Sequence, residues 1–590
     1  MAEGEGAAAP TLLDRMLRPG RSSGRDVMLD VAWLAGLGAL FMATGLGLRD
    51  PWPADEPRFA LVAQDMLRTG DWLIPRVGGD LYADKPPLFF WLIAAATALT
   101  GSLRVGFLLP SLLAGLGTLL LTYDLLRRAR GREVGLAAAF VLLLTFQFVW
   151  QARLAQIDAV LCFLTTLSLY GLLRHHCLGP TRGWYLAGWA AAGLGVITKG
   201  VGFLPLLALV PFVLLARRGW PATAKRIGSL GVAGVAAMLV AIGLWFVPMI
   251  VATSAGGELL DYRNEILFHQ TLTRYSGAWH HAAPVYYYFV EIIPFFWLPL
   301  VALVPWLLPR WLAAFREQDT MTATLLSWVA IVALFFTTSS GKRGLYVLPA
   351  VPALVMAAGP WLPTLLRAQG PRLLAFALAC VFTGFAALAA AYLAFDTDRA
   401  AQIYRRFDIE PVLPLVVISV CGAIALAVFR VRDGWLAYAG VLGSILALTG
   451  LVVNPRLDPS RSGRTFVERL ESASDGVVEL AMIGSKEQYL LQLGRPSFNF
   501  GHARWQEGEW QREAADAAAW LAQGRSRAVL VDRRVLELCF GGAATTDLGR
   551  SHGKHWFLVS GKPELACAES GDPSRARLYA PPVEALNSAG

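Results

Sequence analysis

Short polar stretches of this chain place acids, cations and tyrosines where apolar segments begin or end. Pro53-Ala54-Asp55-Glu56-Pro57-Arg58 leads into a segment with Phe59, Val62, Ala63 and Met66 on one helical face. Asp80-Leu81-Tyr82-Ala83-Asp84-Lys85 precedes a rigid Pro86-Pro87 entry into another apolar run. Asp158 opens an apolar segment, and Lys199 sits between two of them in Thr198-Lys199-Gly200. Gly341-Lys342-Arg343-Gly344-Leu345-Tyr346 joins two more, and Arg274 lies in a long polar loop. A carboxylate can orient or deprotonate an acceptor. Cations can neutralise charge that grows on a departing phosphate. Acids and cations together beside hydrocarbon suit a lipid-linked phosphate as leaving group.

Each residue also has a plainer reading. Asp55 stands where a helix cap would stand. Lys85 can snorkel at a helix end. Asp158 complements a helix dipole. Asp396-Thr397-Asp398 has the spelling of a metal-binding triplet but lacks a soluble nucleotide-binding context, so no metal is expected there or elsewhere.

The elements that must position these groups follow from composition. Of 590 residues, 55% are hydrophobic and 16% charged, against about 25% charged in soluble proteins. Mean hydropathy is +0.49. A polytopic membrane protein is expected; a soluble enzyme, a disordered chain and a disulfide scaffold are excluded. The net charge of +9 reads as basic cytoplasmic loops, not as nucleic-acid binding.

Apolar runs predict about thirteen spans, near 28–48, 104–126, 133–150, 157–174, 184–198, 201–216, 228–251, 286–308, 321–338, 345–365, 373–395, 412–429 and 435–453. The run 86–101 is short and reads as an interfacial helix. Residues 1–27 read as a disordered cytoplasmic terminus followed by a retained anchor. Alternation then makes every cytoplasmic loop basic, including those with Arg127, Arg128, Arg130 and Arg132 and with Arg217 and Arg218. The opposite, periplasmic side collects loops 49–103 and 252–285 and the tail 454–590. All the candidate groups fall on that side, and the expectation is one pocket that meets the bilayer. Lys199, Lys342 and Arg343 there oppose the usual placement of cations, which points to a bound anion.

The tail reads as a small α/β domain, with strands at 476–483, 528–532 and 555–559 and helices at 486–493 and 515–522. Cys539 and Cys567 would lie in an oxidising compartment, where a disulfide between them is one possibility. Cys162, Cys177, Cys380 and Cys421 read as packing residues.

Ala54–Arg58, Leu81–Leu88, Ile197–Gly200 and Gly341–Tyr346, in this order, resemble the bacterial aminoarabinose lipid A transferases. These belong to the protein O-mannosyltransferase superfamily with the GT-C fold. The resemblance implies an inner-membrane enzyme that takes 4-amino-4-deoxy-L-arabinose from undecaprenyl phosphate. It would place the sugar on lipid A phosphate at the periplasmic face, with inversion and without a cofactor, and blunt polymyxin. It also implies roles. Asp55 and Asp158 become the catalytic acids. Tyr82, Asp84, Lys85, Arg274 and Tyr346, with Lys199, Lys342 and Arg343, become the carrier-phosphate or substrate contacts. Two departures stand out. Phe268–Tyr275 lacks the Glu-His pair of enterobacterial members, and Asp84 replaces a common Glu. They keep open a related transferase acting on a protein or another glycan. A lipid or sugar transporter is the reading from another class; it would place ionisable groups near mid-bilayer.

Overall fold

The computed structural model describes residues 12–17, 23–224, 228–268, 283–407, 409–484, 486–501, 509–563 and 571–581. The chain divides into two compact units. The first comprises Met1–Thr44, Ser111–Gln402 and Glu410–Val452. The second comprises Gly45–Pro110, Ile403–Ile409 and Val453–Gly590.

The first unit is helical because its segments are apolar all round, and a backbone without water must satisfy its own hydrogen bonds. Among the described residues of the chain, eight helices are long and apolar enough to cross a membrane. Two bent pairs raise the number to ten. They are Arg132–Leu144 with Phe146–Ala152, bent by 72°, and Tyr288–Phe296 with Val301–Arg316, bent by 98°. The runs expected at 28–48, 184–198 and 201–216 are also helical, as Gly24–Met42, Arg182–Lys199 and Val201–Arg217. They fall outside that set. The first carries Arg25, Asp26 and Asp30 in its opening turns. The last changes from 3-10 to α-helix at Ala208–Leu209 and contains Pro205.

A tight hairpin shapes one end of this bundle. Gly200 caps Arg182–Lys199 at φ +67, and Val201–Ala208 turns back along the same helix. A Cβ on Gly202 would lie 1.9 Å from the Gly195 carbonyl carbon. Only glycine allows the two backbones this close, and their contact leaves Lys199 at the tip.

The second unit joins the first long loop to the tail. The loop contributes the helix Glu56–Thr69, the hairpin strands β1 (Arg76–Val77) and β2 (Asp80–Leu81), and the helix Leu88–Thr100. That last helix has 13 residues and rises about 20 Å, short of a bilayer core. The tail contributes β3 (Glu479–Met482), β4 (Ser497–Asn499), β5 (Arg527–Asp532), β6 (Ala544–Ser551), β7 (Lys554–Ser560) and β8 (Arg577–Tyr579). They form one sheet in the order β6-β7-β5-β3-β4-β8. β3 runs parallel to β4 and β5, and the outer pairings are antiparallel.

The central strands are continuous apolar runs, as burial on both faces requires. Ala481, Ile483, Val529, Val531 and Val559 pack there with Phe500 and Trp520. The three tail strands expected from the sequence are present as β3, β5 and β7. β4, β6 and β8 had no such signal: β4 and β8 have three residues each, and β6 begins with four exposed ones. Asn499 Nδ2 donates to Gly78 O at 2.6 Å, and Arg577 pairs with Asp80 at 3.2 Å. Loop and tail are therefore stitched by polar contacts. Cys539 is disulfide-bonded; Cys567 lies outside the described residues.

Candidate active site

In the first unit, Asp158 and Lys199 meet as an ion pair. Their positions follow from helix electrostatics. Asp158 stands in the first turn of Ile157–Leu173, and Lys199 is the last residue of Arg182–Lys199. Each charge opposes the partial charge of its own helix end. Arg153 fixes the approach to Asp158. Its guanidinium donates to Phe41 O, Thr44 Oγ1, Thr44 O and Leu446 O at 2.6–3.0 Å.

Lys199 Nζ also lies 4.2 Å from the centre of the Tyr346 ring, a cation–π contact. Tyr346 belongs to the short helix Gly344–Val347. Gln147 Nε2 donates to Gly344 O at 2.8 Å, and Trp297 Nε1 donates to Gln147 Oε1. The two residues hold that turn in place.

Lys342 behaves differently from the anion-binding expectation. It is buried, and its ammonium donates to Ser339 O at 2.7 Å and Ala283 O at 2.9 Å. Ser339 closes the helix Thr320–Thr338, so Lys342 acts as a cationic cap. Arg343 is half-buried beside it. Arg274 lies outside the described residues. Asp396 accepts from Arg399 N at 2.9 Å and from Tyr392 Oη at 3.0 Å, so the Asp396-Thr397-Asp398 triplet serves a helix start.

In the second unit, the residues on both sides of Asp55 are anchored. Glu56 is buried and takes a two-pronged bond from Arg49. It also accepts from Trp52 N at 3.0 Å. Asp458 accepts from Asp50 N and from Trp52 Nε1, both at 2.8 Å. Asp50 itself pairs with Arg104 and Arg464. Burial works to raise its pKa, but the two guanidiniums outweigh it and hold the carboxyl below its usual value. Asp55 occupies the position before Glu56–Thr69, yet its side chain makes no capping hydrogen bond. The cap reading therefore does not explain this acid.

Tyr82 is buried, 4% exposed. Burial, then the charge of Asp84, pushes its hydroxyl pKa up, with Asp55 adding to the shift and Arg58 opposing it. Its hydroxyl thus stays protonated and can donate to a phosphate oxygen. Arg58 donates from Nε to Glu487 Oε1 at 2.8 Å. Burial alone would lower its pKa; Glu487 and then Tyr82 and Asp84 outweigh that and raise it. Lys85 Nζ donates to Asp84 O at 2.9 Å. Asp55, Tyr82, Asp84 and Arg58 thus form one electrostatic group, with Glu487 of the tail behind it. Arg58 was legible only as part of a motif. Glu487 is 429 residues away from it and carried no local signal.

Among the described residues, no three His, Cys, Asp or Glu side chains gather as a metal ligand set.

Known proteins resemble this chain in sequence and in fold. A family model described as dolichyl-phosphate-mannose-protein mannosyltransferase matches residues 84–245. Undecaprenyl phosphate-alpha-4-amino-4-deoxy-L-arabinose arabinosyl transferase 1 of Pseudomonas fluorescens is 33% identical over 349 residues, 57% of this chain and 60% of the relative. The transferase of Pseudomonas aeruginosa is 32% identical over 405 residues, 66% of this chain and 70% of the relative. A crystal structure of ArnT from Cupriavidus metallidurans bound to undecaprenyl phosphate superposes with a TM-score of 0.68. That match covers 91% of this chain and 98% of that one at 20% identity, a likeness of fold. This chain is a polytopic helical GT-C protein, and it belongs to the family of undecaprenyl phosphate-aminoarabinose arabinosyl transferases.

Proposed function

We propose that this protein transfers 4-amino-4-deoxy-L-arabinose from undecaprenyl phosphate to a phosphate of lipid A. Its relatives carry that donor in their names, and the family resemblance of Ala54–Arg58, Leu81–Leu88, Ile197–Gly200 and Gly341–Tyr346 supports the same reading. The reaction joins an acceptor phosphate oxygen to the anomeric carbon and breaks that carbon's bond to the carrier phosphate. Inversion follows from direct displacement. The carrier leaves as a phosphate whose growing charge needs donors and cations.

The observation that carries the reading is the buried Tyr82, which shares its electrostatic surroundings with Arg58, Asp55 and Asp84. The hydroxyl and Lys85 serve the carrier phosphate. The two carboxylates offer counter-charge to the ammonium of an amino sugar, which a neutral hexose would not need. Asp55 also shields positive charge that develops at the anomeric carbon. An acceptor phosphate, with a second pKa of about 6 by analogy with phosphoresidues, is already ionised near pH 7. A strong general base is then unnecessary. In the first unit, Lys199, clasped by Asp158 and the Tyr346 ring, supplies a second cation. Arg274 and Arg343 are proposed as further contacts to the carrier.

The proposed topology has about thirteen spans, a cytoplasmic N-terminus, and both long loops and the tail in the periplasm of an inner membrane. Basic loops support it.

Mass spectrometry of lipid A from cells with and without the protein tests the reading. Addition of aminoarabinose only when the protein is present is expected. An unmodified lipid A, with donor available, would overturn the acceptor. Sugar on a protein or another glycan would then favour the mannosyltransferase-like alternative, which the family model at residues 84–245 supports.

A further inference from the structure

The tail's sheet contains a place where chain connections part. From β3 the chain goes to β4 on one side, whereas β5 is followed by strands on the other. In open sheets with parallel strands, such a parting leaves a crevice at the carboxyl ends that ligands use. β3 and β5 are the parallel neighbours here, with Met482 opposite Leu530.

Charged residues gather at those ends. Lys486 follows β3, and Asp532 ends β5. Lys554 opens β7 and pairs with Asp532. Arg58 reaches Glu487, the residue after Lys486. Among the described residues, three cations therefore face two carboxylates, and each carboxylate already holds a cation. Lys486 is the one left over. It is half-buried, and among the described residues its ammonium has neither a hydrogen bond nor an ion pair. A cation withdrawn from water without an anion is unfavourable. Burial and then Lys554 lower the Lys486 pKa, and the smaller opposing effects of Glu487 and Asp532 do not offset them. A bound anion favours the charged form and so opposes both effects.

We propose that this crevice is a phosphate subsite, in which Lys486 and Lys554 hold a phosphate of the acceptor. A phosphate offers several acceptor oxygens and two charges, enough to bridge two ammonium groups. Arg58 links this crevice electrostatically to Tyr82 and Asp84, so the acceptor's charge and the sugar-handling group share one surface of the same unit. The assignment rests on reading the acceptor as a phosphorylated glycolipid.

The test uses the full chain in lipid nanodiscs, with Lys486→Gln, Lys554→Gln and the charge-keeping Lys486→Arg. Binding of glucosamine 1-phosphate and of inorganic phosphate is measured by calorimetry, and transfer to lipid A by kinetics. The expected result is sugar-phosphate binding about tenfold or more weaker in both Gln variants and retained in Lys486→Arg. The KM for lipid A rises by a similar factor, while kcat and the donor KM stay put. Equal binding in wild type and Gln variants would overturn the subsite. So would a rise in donor KM alone. Loss of inorganic phosphate binding with an unchanged lipid A KM would overturn its assignment to the acceptor. If wild type transfers nothing to lipid A, the functional reading fails, and the glucosamine 1-phosphate arm still decides the subsite.

Discussion

Asp158 and Lys199 meet as an ion pair, each at the end of its own helix, with the Tyr346 ring against the ammonium. The acids of the first loop sit instead in a web. Glu56, Asp50 and Asp458 are shared among Arg49, Arg104, Arg464 and the Trp52 donors, and Arg58 is held by Glu487 beside Tyr82. The contrast reflects surroundings. Inside an apolar bundle there is little room for extra polar partners, and helix ends supply the compensation. Where the loop packs against the tail's sheet, many polar partners are available and charge is distributed. An ion pair that caps two helix ends fails abruptly when one member is lost; a web yields by degrees.

The largest effect is expected at Asp55, which has positioned neighbours but no capping role. Asp55→Asn should lower kcat by about 10²–10³, the scale of a lost electrostatic stabiliser. With a phosphate acceptor, wild type and variant keep the same pH profile, set by the acceptor near its second pKa of about 6. If Asp55 is the base, the wild type shows an acidic limb that the variant lacks. Steady-state rates from pH 4.5 to 8 separate the two.

The next effect breaks or sharpens the contrast directly. Asp158→Asn alone takes the carboxylate from Lys199 and should destabilise by about 3–5 kcal/mol, as breaking a buried pair does. Adding Lys199→Met should recover most of the thermal stability but not the activity. Glu487→Gln, within the web, should lower the apparent Tm by much less, because Tyr82 and Asp84 still face Arg58. Equal losses in the two clusters would end the distinction between pair and web.

A smaller effect concerns Lys342. Its ammonium is engaged by backbone carbonyls, so Lys342→Met should cost about 1–3 kcal/mol of stability and leave the donor KM within about twofold. A large rise in donor KM would restore it to the phosphate contacts.

The smallest lies in Asp65, on the helix Glu56–Thr69. Burial raises its pKa to about 6, against the opposing effects of Arg68 and the Gly78 and Gly79 amides. The native state therefore keeps the proton up to about pH 6, while the unfolded chain releases it near 4. Stability from this group is full below pH 4 and is lost as pH rises to 6 and above. Asp65→Asn should raise the apparent Tm at pH 7.5, by an amount equivalent to about 1–2 kcal/mol. The gain should vanish toward pH 4. A gain that persists in acid would refute the burial account.

Several elements were readable in advance for physical reasons. Long apolar runs become helices because their backbones have no other partner, and Pro86-Pro87 marks where Leu88–Thr100 starts. β3, β5 and β7 announced themselves through continuous apolar composition, whereas β4 and β8 are too short for any period to show. Asp55, Asp84, Asp158 and Lys199 were nameable because charges at the margins of apolar segments are costly to keep, and Tyr82 and Tyr346 through the family resemblance. Glu487 was not, since nothing near it in the chain distinguishes it from a solvated helix residue.

What sequence alone determined was the helical membrane character, the α/β tail and the residue types at the margins of the spans, all of which follow from hydropathy and local pattern. Tertiary structure decided the partners. It joined Asp158 to Lys199, turned Lys342 toward carbonyls, brought Glu487 behind Arg58 and left Lys486 with no bonded carboxylate among the described residues. Pairing of charges depends on which residues meet, from 41 apart for Asp158 and Lys199 to 429 apart for Arg58 and Glu487, and composition holds no record of that.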